Sequence, residues 1–519
     1  MLFNSYGFIF LYLPVVLLGF FQLGRISHAY AAAWLALASL FFYGYWNPAY
    51  IGLLLGSVVC NYVFGLWIAK AGVHHDPGRK LQLLIVALAA NLLLLGYFKY
   101  ANFFISNIDL VAGTNWNFAN IILPLGISFF TFTQIAFLVD TYQGKVKEYN
   151  FIHYTLFVTY FPHLIAGPVL HHKEMMPQFA LPSTYRFSYE NMSVGLTIFF
   201  IGLFKKVVLA DGIATYVGPV FALPATGLPL TFIDAWGGAL CYTLQLYFDF
   251  SGYSDMAIGL SRMFGVTLPL NFHSPYKAVN IIEFWRHWHM TLSRFLRDYL
   301  YIPLGGNRHG NVQRYVNVMI TMLLGGLWHG AGWTFVLWGG LHGLYLVINH
   351  AWHALRRALG QDTNAPLSRP AHMLAVLLTF LAVVVGWVLF RADSMATATA
   401  MLEAMAGMNG FVLPDVWLAK WGGFGQWLSA SGVTFGATNN LIMGGAINWI
   451  WISLLIVWLA PNTQQIMANY KPALVMPKGT LATRLAWQPS ILSALLIWMI
   501  GFVAIINLNK LSAFLYFQF

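Results

Sequence analysis

Two stretches of the chain carry residue types suited to chemistry. The first is Gly325-Gly326-Leu327-Trp328-His329-Gly330-Ala331-Gly332-Trp333, in which four glycines bracket a single histidine between two apolar runs. Glycine lets a helix break at membrane depth and lets a ligand or a neighbouring backbone approach closely. An ionisable side chain in such a place is costly to desolvate, so His329 is read as functional, against the alternative of a packing motif with an incidental histidine. A dry site favours the neutral imidazole, which suits a general base or a nucleophile. The second stretch, 270–312, holds Lys277, Arg286, Arg294, Arg297, Arg308 and four histidines among Trp285, Trp288, Phe295 and Tyr299. Helical periodicity over Glu283 to Arg297 places Arg286, His289 and Ser293 on one face, which could bind an anion and position a proton acceptor. The competing reading is an interfacial helix whose basic residues meet phospholipid headgroups.

Asp249 and Asp255 fall in an apolar run. They could bind a cation or relay protons, and pairing with an arginine of 270–312 is the preferred reading, because unpaired buried carboxylates are costly. His342 and His163 read as packing or structural histidines. His171, His172, His350 and His353 sit at span ends, where contact with water or headgroups is the default. No zinc spacing, P-loop, dinucleotide fingerprint or nucleophile elbow is present, and Cys60 and Cys241 form no pair motif, so no metal site is expected.

The elements that must position these residues are membrane helices. Of 519 residues, 59% are hydrophobic and 8% charged, which excludes a soluble enzyme and a disordered chain. Candidate spans fall near 7–24, 30–46, 49–69, 81–98, 121–139, 151–169, 192–209, 232–250, 314–328, 333–350, 372–390, 441–460 and 489–508. An all-α, polytopic membrane protein with about 11–13 membrane helices follows. The whole of 1–519 is expected to form one integral-membrane unit, with 270–312 as a re-entrant or interfacial segment and no separate soluble domain. The net charge of +11 does not imply nucleic acid, since Lys and Arg collect in cytoplasmic loops. Lys70, Arg79 and Lys80, then Arg356, Arg357 and Arg369, and then Lys471, Lys478 and Arg484 mark such loops. Part of the excess, six basic residues within 38 positions before His329 (Arg314 among them), instead suits docking of an anion.

Together these residues resemble the membrane-bound O-acyltransferase (MBOAT) family. The likeness rests on Phe284-Trp285-Arg286-His287-Trp288-His289-Met290-Thr291-Leu292-Ser293, on the run from Arg297 to Arg308, and on Gly326-Leu327-Trp328-His329-Gly330. Tyr97-Phe98-Lys99-Tyr100, Leu123 to Phe129, Phe161 to Pro168, Gly202 to Lys206, Phe390-Arg391-Ala392 and the aromatic run 516–519 support it, so that it covers nearly the whole chain. The closest likeness is to the bacterial branch that O-acetylates alginate, peptidoglycan or cellulose, although His287 stands where that branch has arginine.

The resemblance implies that His329 and His289 are catalytic and that Arg286, Arg294, Arg297, Arg308 and Ser293 contact the donor. It implies no permanently bound cofactor, and acetyl-CoA as the cytoplasmic acyl donor. It further implies a place in the bacterial inner membrane and acetylation of an extracytoplasmic polysaccharide, alginate first. The acetyl group would pass through a separate periplasmic acetyltransferase within a polysaccharide export and modification complex. A polytopic transporter or proton-coupled channel, using Asp249, Asp255 and the histidines as a relay, is the alternative from another class.

Overall fold

The computed structural model describes all residues except 115, 117–120, 166, 228–229, 364, 437–444, 477–484, 510–514 and 516–519. The aromatic run 516–519, together with Lys478 and Arg484, therefore lies outside the described residues. Two helical hairpins open the chain: α1 (Leu13–Ile26) with α2 (His28–Gly44), and α3 (Ala49–Val73) with α4 (Pro77–Leu95). Next come α5 (Ala101–Ala112), α6 (Ile127–Tyr142), α7 (Phe151–Thr159), α8 (Phe161–Leu164) and α9 (His172–Phe179). A central group follows, α10 (Tyr189–Phe204), α11 (Asp211–Thr226) and α12 (Phe232–Met263). The segment around the two histidine motifs supplies α13 (Ile281–His287), α14 (Met290–Leu296), α15 (Gly310–His329) and α16 (Trp333–Ala358), and α17 (Arg369–Arg391) packs on α16. Strand content among the described residues is one short parallel pair, Val412–Pro414 with Thr434–Gly436.

The all-α polytopic architecture expected from composition is what the structure shows. Among the described residues, five helical stretches are long and apolar enough to cross a membrane, including Ala49–Val73, Pro77–Ala112, Tyr189–Thr226 and Arg369–Arg391. The expected span 151–169 does not form, and residues 441–444 of the expected span 441–460 lie outside the described residues. The run 151–169 breaks after Thr159, and the nine residues of α7 reach only about 14 Å at 1.5 Å per residue, against a hydrocarbon core of about 30 Å. Its broken backbone is enclosed by protein, with Tyr154 through Leu164 all buried, which is the condition under which irregular chain is tolerated at that depth.

α12 runs through both large apolar cores. Its residues up to Phe250 pack with α11, α17 and the helix Ala446–Leu459, and from Tyr253 onward they pack with the N-terminal helices and α10. Glycine sets how closely α10 and α12 approach. A Cβ on Gly202 would lie 2.6 Å from the Gly252 carbonyl oxygen, and one on Gly195 would lie 2.7 Å from that of Gly259, with the reciprocal contacts equally tight. Small residues at a crossing let helix backbones meet when lipid supplies no hydrophobic drive.

Beside this crossing lie the carboxylates noted in the sequence. Asp255 takes Lys205 at 2.6 Å, the Thr463 hydroxyl at 2.6 Å and the Gln464 amide at 3.0 Å. Lys206 lies between Asp249 at 2.5 Å and Asp211 at 2.8 Å. Both acids are therefore paired as expected, but with lysines of the π-helical turn Lys205–Ala210 rather than with arginines of 270–312. The arginines are nearer along the chain, whereas the glycine crossing brings the lysines nearer in space.

Gly202→Leu is expected to force α10 from α12 and to lose several kcal/mol of stability, or all folded protein. Gly56→Leu, at a glycine with open space around it, should be neutral. Yield of monodisperse protein and the thermal unfolding midpoint in detergent measure both.

Candidate active site

His329 is the last residue of α15, and Gly330 continues in an extended conformation. α15 and α16 cross where a Cβ on Gly326 would stand 3.1 Å from the Gly339 backbone. This contact brings Trp338 onto His329. The imidazole is ringed by Trp328, Trp338 and Phe390, at centroid distances of 4.9, 5.2 and 5.1 Å, and faces the His289 ring at 6.3 Å. His329 itself is half-buried because it lines two cavities.

The larger cavity is an open cleft of about 1140 Å³ beside α15, whose Arg314, Val318, Met322 and Gly325 recur along one face down to His329. Arg286, Arg297, Ser293 and His350 also line it, and Arg314 hydrogen-bonds the His350 ring at 3.0 Å. The second cavity, of about 640 Å³, is bounded by Trp46, Lys99, Leu123 to Phe129, Ile165 and Trp328. A smaller space beneath His329 is shared with Asp249, Trp288 and Trp387.

Helical periodicity misplaces His289. The chain does not stay helical from Glu283 to Arg297: α13 ends at His287, and His289 adopts a left-handed conformation (φ 43°, ψ 51°) before α14 begins. Segment 271–273 holds the break open. Met290 N–H donates to the Asn271 carbonyl at 2.9 Å, and His273 N–H to the His287 carbonyl at 3.0 Å. His289 is consequently buried and turned away from the face of Arg286 and Ser293. Its Nδ1 lies 3.2 Å from Asn271 Oδ1, which also accepts from the Thr291 N–H and hydroxyl. A backbone N–H can only donate, so Oδ1 is fixed as the acceptor and His289 Nδ1 must carry the proton. Nε2 keeps the lone pair, and it is buried without a partner. Asn271 is the residue that sequence reasoning missed, since a lone Asn in Leu270-Asn271-Phe272 gives no periodic or motif signal.

The expected donor contacts separate in the structure. Arg286, Arg297 and Ser293 face the large cavity, and Arg297 also pairs with its neighbour Asp298 at 2.7 Å. Arg294 points away from that cavity and grips Glu174 through two bonds of 2.5 and 2.7 Å. Arg308 is exposed and does not line it. Arg314 and His350 line the cavity as well. Periodicity could have found Arg314, which lies 15 residues before His329 on the same face. Trp328, a pairing candidate, packs against Phe129 and Phe132. His342 is buried among Trp285, Trp338 and Trp387, in line with packing. Among the described residues no three His, Cys, Asp or Glu side chains group as a metal site would need.

His171 and His172 are not the solvated histidines expected at a span end. Both are buried. His172 Nδ1 lies 3.0 Å from Asp140, and the Tyr299 hydroxyl, which donates to Asp140 at 3.0 Å, lies 3.0 Å from His171 Nδ1. Burial, reinforced by the nearby Arg294 guanidinium, pushes His171 down to about 4.

A family model described as MBOAT, membrane-bound O-acyltransferase family, matches residues 40–390. The chain is 46% identical over 442 residues to the peptidoglycan O-acetyltransferase of Helicobacter pylori, covering 80% of this chain and 81% of that one. It is 43% identical over 423 residues to a protein of Pseudomonas putida named probable alginate O-acetylase, covering 80% and 82%. A more distant relative is the teichoic acid D-alanyltransferase of Streptococcus thermophilus, 28% identical over 51% of this chain and 68% of the relative.

Because the folded state holds His171 below its unfolded value of about 6.5, the unfolded chain binds more protons between pH 6.5 and 4, and stability is lost as pH falls through that window. The expected loss from this group is about 2 kcal/mol. It is read as a fall in the thermal midpoint between pH 7 and 4.5, which His171→Gln should flatten.

Proposed function

We propose, since this chain belongs to the membrane-bound O-acyltransferase family, that it transfers an acetyl group from cytoplasmic acetyl-CoA to a hydroxyl on the other side of the bacterial inner membrane. As a member of that family it is a multi-pass membrane acyltransferase. The reading of donor and direction rests chiefly on one observation, that His329 lines both cavities.

The cavity of Arg286, Arg297 and Arg314 takes the donor. Guanidinium groups bind phosphates bidentately and hold their charge at any working pH. Fifteen residues of helix separate Arg314 from His329, about 22 Å, so phosphates at the mouth leave the thioester to be delivered along α15 to the imidazole. Arg356 and Arg357, at the end of α16 on the side of His350, support reading that end of the protein as cytoplasmic. The acceptor enters from the Trp46 and Leu123 to Phe129 side.

His329 takes the proton of the acceptor hydroxyl as its oxygen attacks the thioester carbonyl. The carbon–sulfur bond then breaks, and the thiolate leaves with the proton that His329 holds. Access from two sides lets donor and acceptor meet at once, which favours this direct transfer over an acetyl-histidine intermediate. His289, with Nε2 unprotonated and its ring 6.3 Å from that of His329 between centroids, stabilises the imidazolium that forms. The final acceptor is an exopolysaccharide, with alginate favoured by the relatives of that name and peptidoglycan next, reached through an exported acetyltransferase in a modification complex.

Two measurements test this reading. His329→Ala, at normal membrane expression, should lower release of CoA from acetyl-CoA in the presence of acceptor by at least a hundredfold, and undiminished release would refute the assignment. Arg314→Gln should raise KM for acetyl-CoA about tenfold while changing kcat little.

A further inference from the structure

The turn Gly96–Tyr100 carries a lysine for which neither the expected site nor the transfer chemistry has a use. Lys99 donates to the Trp328 carbonyl, lies 3.3 Å from the His329 carbonyl oxygen and 3.4 Å from the Ser128 hydroxyl, and stands 5.6 Å from the Trp328 ring centroid. Next to it, the Tyr100 hydroxyl donates to the Leu327 carbonyl at 2.9 Å. Among the described residues no carboxylate comes within ion-pair distance of Lys99. A cation placed at this depth against neutral partners alone is expensive, and it is retained where it has a task.

The last four carbonyls of a helix lack intrahelical donors and carry the negative end of its dipole. In α15 those carbonyls belong to residues 326–329, so three of the four are met by two adjacent side chains of one turn. The bond to Ser128 ties the same ammonium to the first turn of α6. Gly330 and Gly332 follow His329 and give the backbone no steric resistance, so without that clamp the end of α15 would be free to fray. Lys99 also borders the same 640 Å³ cavity as His329 and does not line the cavity of Arg286, Arg297 and Arg314.

We propose that Lys99 is the positioning residue of this enzyme, an ammonium cap that holds the C-terminal turn of α15 so that His329 stands between donor and acceptor. The assignment rests on the acyltransfer reading for its kinetic consequence and on the geometry of α15 for its structural one. Lys99 touches neither substrate in this role; it acts through the histidine.

The test compares Lys99→Met, Lys99→Arg and wild type in detergent, with acetyl-CoA as donor and carbethoxylation of His329 by diethylpyrocarbonate followed by mass spectrometry. Lys99→Met is expected to lower kcat at least thirtyfold, to leave KM for acetyl-CoA within threefold, and to change the labelling rate of His329 at least threefold. Lys99→Arg, which keeps the charge and can reach the same carbonyls, is expected to retain a third or more of kcat and wild-type labelling. If Lys99→Met does not yield folded protein, the arginine variant carries the test, and activity at the level of His329→Ala would overturn the proposal. So would a folded Lys99→Met enzyme with wild-type kcat and labelling, or one whose only change is a raised KM. Wild-type protein that never releases CoA, with His329 labelling still altered in Lys99→Met, would overturn the acyltransfer reading and leave the role of Lys99 standing.

Discussion

A polar group below the membrane surface has to find its partner inside the protein, and the glycine crossing of α10 and α12 is where this structure meets that demand. Without Cβ atoms at Gly195, Gly202, Gly252 and Gly259, the two backbones come close enough for Lys205 and Lys206 to reach Asp255 and Asp249. Those bonds hold α12 as the shared wall of both apolar cores. α12 also presents Phe250, whose ring packs edge-on against His289 at 4.7 Å. The position of the second motif histidine thus depends on a contact made between helices that carry none of the chemistry. Removing one member of such a buried ion pair leaves a charge without compensation and typically costs about 3–5 kcal/mol, which is why these acids need no catalytic role to explain their presence.

What the sequence made legible was set by local signals. The apolar runs announced membrane helices, and the four glycines around His329 announced a break at depth, because both features are written in consecutive residues. Pairing of Asp249 and Asp255 was legible as a need, since their burial was plain. The identity of their partners was not, because Lys205 and Lys206 lie 43 or more positions upstream and only the helix crossing brings them in.

Periodicity failed at His289 for a related reason. A helical pattern from Glu283 to Arg297 is present in the residues, but segment 271–273 pairs with the backbone at 287–290 and overrides it. The basic cluster reads as one unit in the sequence, and the fold divides it: Glu174, 120 residues upstream, claims Arg294, while Arg286 and Arg297 stay on the cavity. The rule for span ends puts His171 and His172 in contact with water, yet Asp140 and Tyr299 draw both into the interior.

The ring of Trp328, Trp338 and Phe390 around His329 has a consequence of another kind. Two cavities, one lined by arginines and the other by the Trp46 wall, share only His329 among their lining residues, so the ring around its imidazole stands between them. The same few side chains that host the imidazole are therefore the wall between the two spaces. The room available for a reaction at His329 is bounded by how closely Trp328, Trp338 and Phe390 pack on its ring.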